Sequence, residues 1–254
     1  MDKTEKKETR VKNRIEKLDY EETQSFFKKR AEKFKADNPY SVTMYQDNHP
    51  TLVKERNQRE TETLLPLLKL NENSKVLDVA CGIGRWSDAI KQNIREYCGV
   101  DFSEDLIKIA IERNMHLSNR SFLVGKASEI GQVLDNNGKG KYNCVLLVGI
   151  LVYLNESDVQ TALSQIESVC EEHAVICIRE PVGISERLTL KHFYSEELED
   201  NYNAIYRTGN ELMQFFKEAF LEKGFKLVKE DFLFSEDALN NRKETAQYYY
   251  IFER

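Results

Sequence analysis

Several features are missing from this chain, and each absence removes a class of function. No apolar run approaches the roughly 20 residues a membrane span requires. The first residues are rich in Lys and Glu and contain no apolar h-region, so no secretory leader is expected. Basic residues do not outnumber acidic ones: the net charge is −6 at pH 7. That balance argues against a general nucleic-acid binder, which carries a basic excess or stripe. No Asn/Asp-Pro-Pro-Tyr motif occurs either. The five cysteines, Cys81, Cys98, Cys144, Cys170 and Cys177, form no C-x-x-C pair. Three of them, Cys98, Cys144 and Cys177, lie in apolar, strand-like runs. They read as buried, reduced thiols of a cytoplasmic protein, with no disulfide and no metal site. There is no internal repeat.

What is present suits one α/β domain with appendages, or at most two small domains: 254 residues, 41% apolar and 31% charged. The central stretch is Val76-Leu-Asp-Val-Ala-Cys-Gly-Ile-Gly-Arg85. It reads as a buried strand, a turn with Gly82 and Gly84, and an amphipathic helix from Trp86 to Ile94. Backbone N–H groups and a helix N-terminus there face a ligand with no side chain between. Further strands follow at Cys98–Val100, Ser121–Gly125, Tyr142–Gly149 and Ala174–Ile178, with helices at Leu106–Arg113 and Asn155–Val169. The fourth strand is apolar throughout, which predicts a central place in the sheet. Alternating strands and helices imply an open parallel sheet whose ligands bind beyond the carboxyl ends of the strands.

The flanks are less regular. Residues 2–36 are charged, with apolar positions spaced for one or two amphipathic helices, and the first ten or so residues are expected to fray. This arm reads as a helical cover on the core, or else as a lid or a homodimer contact. A loop from Tyr40 to Pro50 follows, and Tyr45 within it is the candidate lid residue. Pro66 is expected to end or kink the helical stretch after it. Residues 183–208 break the rhythm, being too long for a connection and too polar for a core element. They carry Arg187, Lys191, His192, Tyr194, Tyr206 and Arg207. The chain then closes with a helix at Asn210–Leu221, a stop at Gly224 and two strands, Phe225–Val228 and Tyr248–Phe252. The division expected is an arm and lid loop over 1–50, a core over 51–182, a substrate-binding insertion over 183–208 and a closing helix with hairpin over 209–254.

A glycine pair after a strand could also hold a dinucleotide. Two features argue otherwise. The third glycine of a G-x-G-x-x-G is Ser87, and Asp78 at the strand end would repel phosphates but suits a cationic ligand. Asp101, at the end of the next strand, can accept hydrogen bonds from both hydroxyls of a ribose.

These pieces resemble class I S-adenosylmethionine-dependent methyltransferases: Val76 to Gly84, Gly99-Val-Asp-Phe-Ser103, the Lys126-Ala-Ser128 turn and the fourth strand up to Gly149. The resemblance covers residues 74–182. It implies a Rossmann-like, seven-stranded, mostly parallel sheet with helices on both faces, its last strand antiparallel and inserted beside the sixth. It also implies S-adenosyl-L-methionine as cofactor. Gly82 and Gly84, flanked by Ala80 and Arg85, would admit its methionyl part, and Asp78 would hold the amino group. Asp101 and Ser103 would meet the ribose, with Phe102 against the adenine. Lys126, Ala127 and Ser128 stand where family members often place an adenine-binding acid. Val148 and Gly149 would form the floor.

Methyl transfer from a sulfonium releases a neutral leaving group, so orientation of the acceptor can supply much of the acceleration. A base is needed only for a hydroxyl or a protonated amine. Glu180, His192 and Tyr206 are the candidates, each with an alternative as an ion-pair, surface or packing residue. Arg179, Arg187, Tyr194 and Arg207 are the candidate contacts for a small anionic substrate, although Arg side chains there could equally pair with nearby Glu. Residues 187–194 and 202–207 are similar to methyltransferases of bacterial surface-polysaccharide biosynthesis. The expected reaction is therefore O-methylation of a phosphate-bearing or nucleotide-linked sugar, or of a phosphate or phosphoramidate group. Protein or nucleic-acid methylation and a non-catalytic cofactor-binding subunit are the rivals.

Overall fold

The apolar runs come together as one twisted sheet. In the computed structural model, which describes residues 9–45, 47–235, 239–240 and 242–254, five strands pair in parallel as the alternation requires. They are β2 (Lys75–Val79), β3 (Glu96–Asp101), β4 (Arg120–Val124), β5 (Tyr142–Val148) and β6 (Cys170–Gly183). After β9 (Lys226–Phe232), β10 (Thr245–Glu253) turns back and inserts antiparallel between β6 and β9. The resulting order is β4-β3-β2-β5-β6-β10-β9. This is the seven-stranded Rossmann-like sheet expected. Cys144 to Leu147 of β5 are buried on both faces, as a continuous apolar run in a central strand should be.

Each face is closed by amphipathic helices. On one side α6 (Ile130–Asn136), α7 (Glu156–Ser168) and α8 (Gly209–Ala219) contribute Leu134, Leu163 and Phe216 to a core with Leu77, Val145 and Ile176. On the other, α3 (Pro50–Leu64) and α4 (Arg85–Ala89) bury Leu64 and Trp86 against Val76, Leu146 and Ile251. A 3-10 turn over Leu65–Leu68 takes over from α3 where Pro66 removes a backbone donor. The helix after the glycine turn is shorter than expected. Ile90 leaves the helix in an extended conformation, yet Ile90 and Ile94 both still reach the core. Ser103 caps α5 (Glu104–Asn114), its Oγ accepting from Leu106 N–H at 3.3 Å.

The flanks differ from the sequence reading. The arm is one helix, α1 (Tyr20–Glu32), preceded by a short strand, β1 (Arg10–Lys12), rather than helices alone. The expected fraying at the first residues concerns positions 1–8, which lie outside the described residues. A further helical turn, α2 (Ser41–Met44), forms in the loop before α3. The segment 183–208 is not too polar to enclose a core. It folds as β7 (Leu188–Ser195) and β8 (Asp200–Tyr206), an antiparallel pair that β1 extends to a three-stranded sheet. Leu188, Leu190, Tyr202, Ala204 and Tyr206 pack there against Phe26 of α1 and Tyr153. They alternate with Thr189, Asn203 and Ile205, of which Thr189 and Ile205 are buried as well, so this part of the pair is covered on both faces.

Arg207 fastens this cap to the main sheet. It is buried, and donates to Leu151 O and Leu154 O at 2.7 Å each and to Glu156 at 2.9 Å. Replacing it leaves two carbonyls without their donor. Arg207→Met is expected to cost about 3 kcal/mol, read as a lower urea midpoint at neutral pH.

Candidate active site

The glycine turn is built from backbone conformations that side chains resist. Ala80, Gly82 and Gly84 all have positive φ, at 62°, 56° and 79°. Hydrogen bonds from Ala80 N and Cys81 N to Val100 O, at 2.7 and 3.1 Å, tie the turn to the end of β3. A β-carbon on Gly82 would stand 2.8 Å from Thr43 Cγ2, and one on Gly84 would stand 3.0 Å from Asn114 Nδ2. Both positions therefore need glycine for space as well as for φ.

Asp101 locks this turn. Gly82 N donates to its Oδ2 and Ser103 N to its Oδ1, both at 2.9 Å. Burial raises its pKa to about 6, against the pull of these two donors. Each oxygen keeps a lone pair, so the carboxylate can still accept from a ligand's hydroxyls. Asp78 lies beneath the turn, with Oδ2 accepting from Tyr97 OH at 2.5 Å. Burial lifts its pKa to about 7, while the Tyr97 bond and the charge of Arg85 oppose the rise. Phe102 meets Phe27 edge-on, with ring centroids 5.5 Å apart. Lys126 pairs at 3.7 Å with Glu129 across the short turn that holds Ala127 and Ser128.

Beyond the carboxyl ends of β5 and β6 lies a cavity of about 90 Å³. Of the residues singled out in the sequence, Tyr45, Val148, Gly149, Arg179 and Tyr206 line it. Tyr45 sits in the left-handed region at φ 55°, ending α2. Its hydroxyl begins a chain: Tyr153 OH donates to it at 2.9 Å and lies 2.9 Å from Tyr202 OH, which accepts from Tyr206 OH at 3.5 Å. Arg242 Nη1 donates to Tyr206 OH at 3.0 Å. Gly149, at φ 74°, donates its N–H to Arg179 O at 2.8 Å.

Glu60 joins the cavity to the glycine turn. Its Oε1 accepts from Arg85 Nη2 at 2.7 Å, and Arg179 Nη2 stands 3.3 Å from each of its oxygens. Burial works to raise its pKa, but the guanidiniums of Arg179 and Arg85 outweigh it and hold the carboxyl below its usual range. Glu60 is the only carboxylate among the described lining residues, and no histidine is among them. Three guanidiniums, those of Arg56, Arg179 and Arg242, line the same space.

Five of the sequence candidates stand elsewhere. Glu180 is no free base, because its carboxylate accepts the N–H groups of Ile150 and Leu151 at 2.8 and 2.9 Å and of Val152 at 3.4 Å. It thereby holds the turn after β5. Burial raises its pKa to about 7, with those donors and Arg179 opposing. His192 lies on the outer part of the cap, 3.2 Å from Glu22. Tyr194 is 60% exposed. Arg187 is buried between Glu156 and Glu211, and Arg207 is held as described above. None of these five lines the cavity. Sequence reading missed Arg56, Glu60, Tyr153, Tyr202 and Arg242. For the first two a signal existed. Val53, Arg56, Glu60 and Leu64 are the buried residues of α3, at helical spacing. Two opposite charges on an otherwise apolar stripe mark a buried polar site.

Comparison with known proteins bears on the same region. Residues 76–173 match the family model described as a methyltransferase domain. Phosphoethanolamine N-methyltransferase 1 of Caenorhabditis elegans is 25% identical over 145 residues, covering 57% of this chain and 29% of that protein. The chain spans less than half the length of the curated relatives it matches. Among solved structures, phosphoethanolamine N-methyltransferase 1 of Haemonchus contortus, in complex with phosphoethanolamine and S-adenosylhomocysteine, superposes with a TM-score of 0.69. The identity is 17%, over 93% of this chain and 50% of that one. Magnesium protoporphyrin IX methyltransferase of Synechocystis PCC 6803, with bound S-adenosylmethionine, gives 0.62 at 13% identity, over 95% and 100%. Residues 76–173 are thus similar to a methyltransferase domain, and the chain has the fold of these S-adenosylmethionine-dependent methyltransferases. Among the described residues no helix is long and apolar enough to cross a membrane.

The raised pKa of Asp78 has a measurable sign. Between its ordinary value near 4 and about 7, the native state holds a proton that the unfolded chain has lost. Its contribution to stability therefore falls as pH rises through that window. Asp78→Asn is expected to flatten this part of the stability–pH profile, measured by urea denaturation from pH 4 to pH 8.

Proposed function

We propose that this chain, whose residues 76–173 are similar to a methyltransferase domain, transfers the methyl group of S-adenosylmethionine to a small anionic acceptor. The observation that carries the reading is the cavity beside the glycine turn, with three guanidiniums and one carboxylate among its described lining residues. The glycine cradle fits the cofactor. The positive-φ turn at Gly82 and Gly84 turns backbone toward its methionyl chain, Asp101 is placed for the ribose hydroxyls, and Phe102 and Ser103 stand beside it. Ala80, Arg85, Lys126, Ala127 and Ser128 surround this position, and Val148 and Gly149 join it to the cavity. Asp78 lies beneath the turn, where a cationic ligand would favour its ionised form. The bound cofactor supplies an electrophilic methyl group; the protein orients the acceptor and keeps water out.

The scarcity of bases supports an acceptor atom that needs none. Glu180 is committed to three backbone donors, His192 lies outside, and Glu60 is held ionised between two arginines. Tyr206, hydrogen-bonded to Arg242, is the base candidate that remains in the cavity. A phosphate or carboxylate oxygen is already an anion. This favours O-methylation of a phosphate-bearing acceptor, including the sugar phosphates or phosphoramidates of a surface-polysaccharide pathway. The names of the nematode proteins support a second reading, a phosphorylated amine methylated at nitrogen. Neither reading needs a basic surface suited to nucleic acid, and a small-molecule partner suffices for both.

Calorimetry with S-adenosylhomocysteine tests the cofactor, and Asp101→Ala is expected to weaken its binding at least ~10-fold, as the loss of hydrogen bonds to a charged group implies. Radiolabelled methyl transfer to sugar phosphates, nucleotide sugars and phosphoethanolamine then identifies the acceptor. A wild-type protein that binds no S-adenosylhomocysteine sinks the reading.

A further inference from the structure

Buried arginines in this protein are otherwise tied down. Arg30, 2% exposed, donates to Asp47 and to the carbonyls of Ser41 and Val42. Arg207, 1% exposed, donates to Glu156 and two carbonyls. Arg56 is the exception. It is 5% exposed, faces the cavity from α3, and its Nε has no hydrogen-bond partner. Among the described residues no ion pair or hydrogen bond involves it. The carboxylates near it are in use. Glu60, one helical turn along, is shared by Arg85 and Arg179. Glu197 acts on it only at a distance, and itself accepts from Asn48 N at 3.2 Å and lies 3.7 Å from His49. Burial lowers the guanidinium's pKa to about 10, so it stays charged at neutral pH.

An unpaired buried charge destabilises a fold and persists where a ligand compensates it. Arg179 and Arg242 face the same space, and among the described lining residues Glu60, already shared by Arg85 and Arg179, is the one carboxylate beside the three guanidiniums. We propose that Arg56 is the anion receptor of this pocket and takes a doubly charged phosphate group carried by the acceptor. A planar fork of donors matches two phosphate oxygens at once. The proposal rests on the methyltransferase reading for the word acceptor, but the anion site itself does not.

The test is a set of thermal midpoints for the whole chain, alone and with inorganic phosphate, glycerol 3-phosphate or acetate at matched ionic strength. Calorimetry with S-adenosylhomocysteine accompanies it. Both phosphates are expected to raise the wild-type midpoint, the ester acting at lower concentration, and acetate to leave it unchanged. Arg56→Met is expected to melt at or above the wild-type midpoint without anion, by up to about 2–4 °C. It should bind phosphate at least tenfold more weakly and S-adenosylhomocysteine as tightly as wild type. Arg56→Lys, which keeps the charge without the fork, should fall between. A purely structural Arg56 would give the opposite pattern, a lower midpoint in Arg56→Met with phosphate affinity unchanged, and that overturns the proposal. Inorganic phosphate binding better than the ester overturns the acceptor part, leaving an ion site. Wild type that takes up phosphate but no S-adenosylhomocysteine defeats the methyltransferase reading instead.

Discussion

The carboxylate of Glu60 is the point on which the candidate site depends. It is 1% exposed and lies between Arg85, at the start of the helix after the glycine turn, and Arg179, near the end of β6. A charge at that depth is tolerable only with its partners in place. Its two guanidiniums come from separate elements, and Glu60 belongs to a third. One ion therefore fixes an outer helix against both the glycine turn and the far part of β6.

The tyrosine chain has a different character. Tyr45, Tyr153, Tyr202 and Tyr206 come from the loop before α3, the turn after β5 and the cap. Their hydroxyls satisfy one another, so the apolar ring faces can be buried while the polar tips stay inside. Thr43, two residues before Tyr45, touches Gly82. The same short segment thus contacts the cofactor turn and closes the tyrosine cluster, and at about 90 Å³ the cavity it covers is far smaller than a ligand site for a whole cofactor and acceptor.

Much of the core was legible because it is written locally. Strand–helix alternation, the glycine pair after Asp78 and the acid ending β3 each depend on residues within a few positions of one another. The unbroken apolar run of β5 announced its central place. The cap was not legible in this way. The Leu188/Leu190 and Tyr202/Ala204/Tyr206 alternation is partly masked because the intervening Thr189 and Ile205 are buried too, and the strand at Arg10–Lys12 is too short to carry a period. The roles of the arginines were hidden for another reason. Arg187, Arg207, Arg179 and Arg56 look alike in sequence, and only tertiary partners separate two structural residues, one shared one and one left unpaired. Glu180 shows the same limit: a carboxyl after a strand reads as a base until three backbone N–H groups close on it.

The pairing of Arg10 with Leu190 carries a consequence for biosynthesis. The strand at Arg10–Lys12 leaves the ribosome long before its partner strand exists. Until β7 and β8 emerge, it has no sheet to join, and neither does the Phe26 face of α1, which packs on the same cap. The core strands β2 to β6 are complete before that moment. Assembly of the cap is thus a late, non-local step, slower than the closing of the neighbouring βα units. A chain stalled before residue 190 would display an unclosed apolar helix face and a free strand edge.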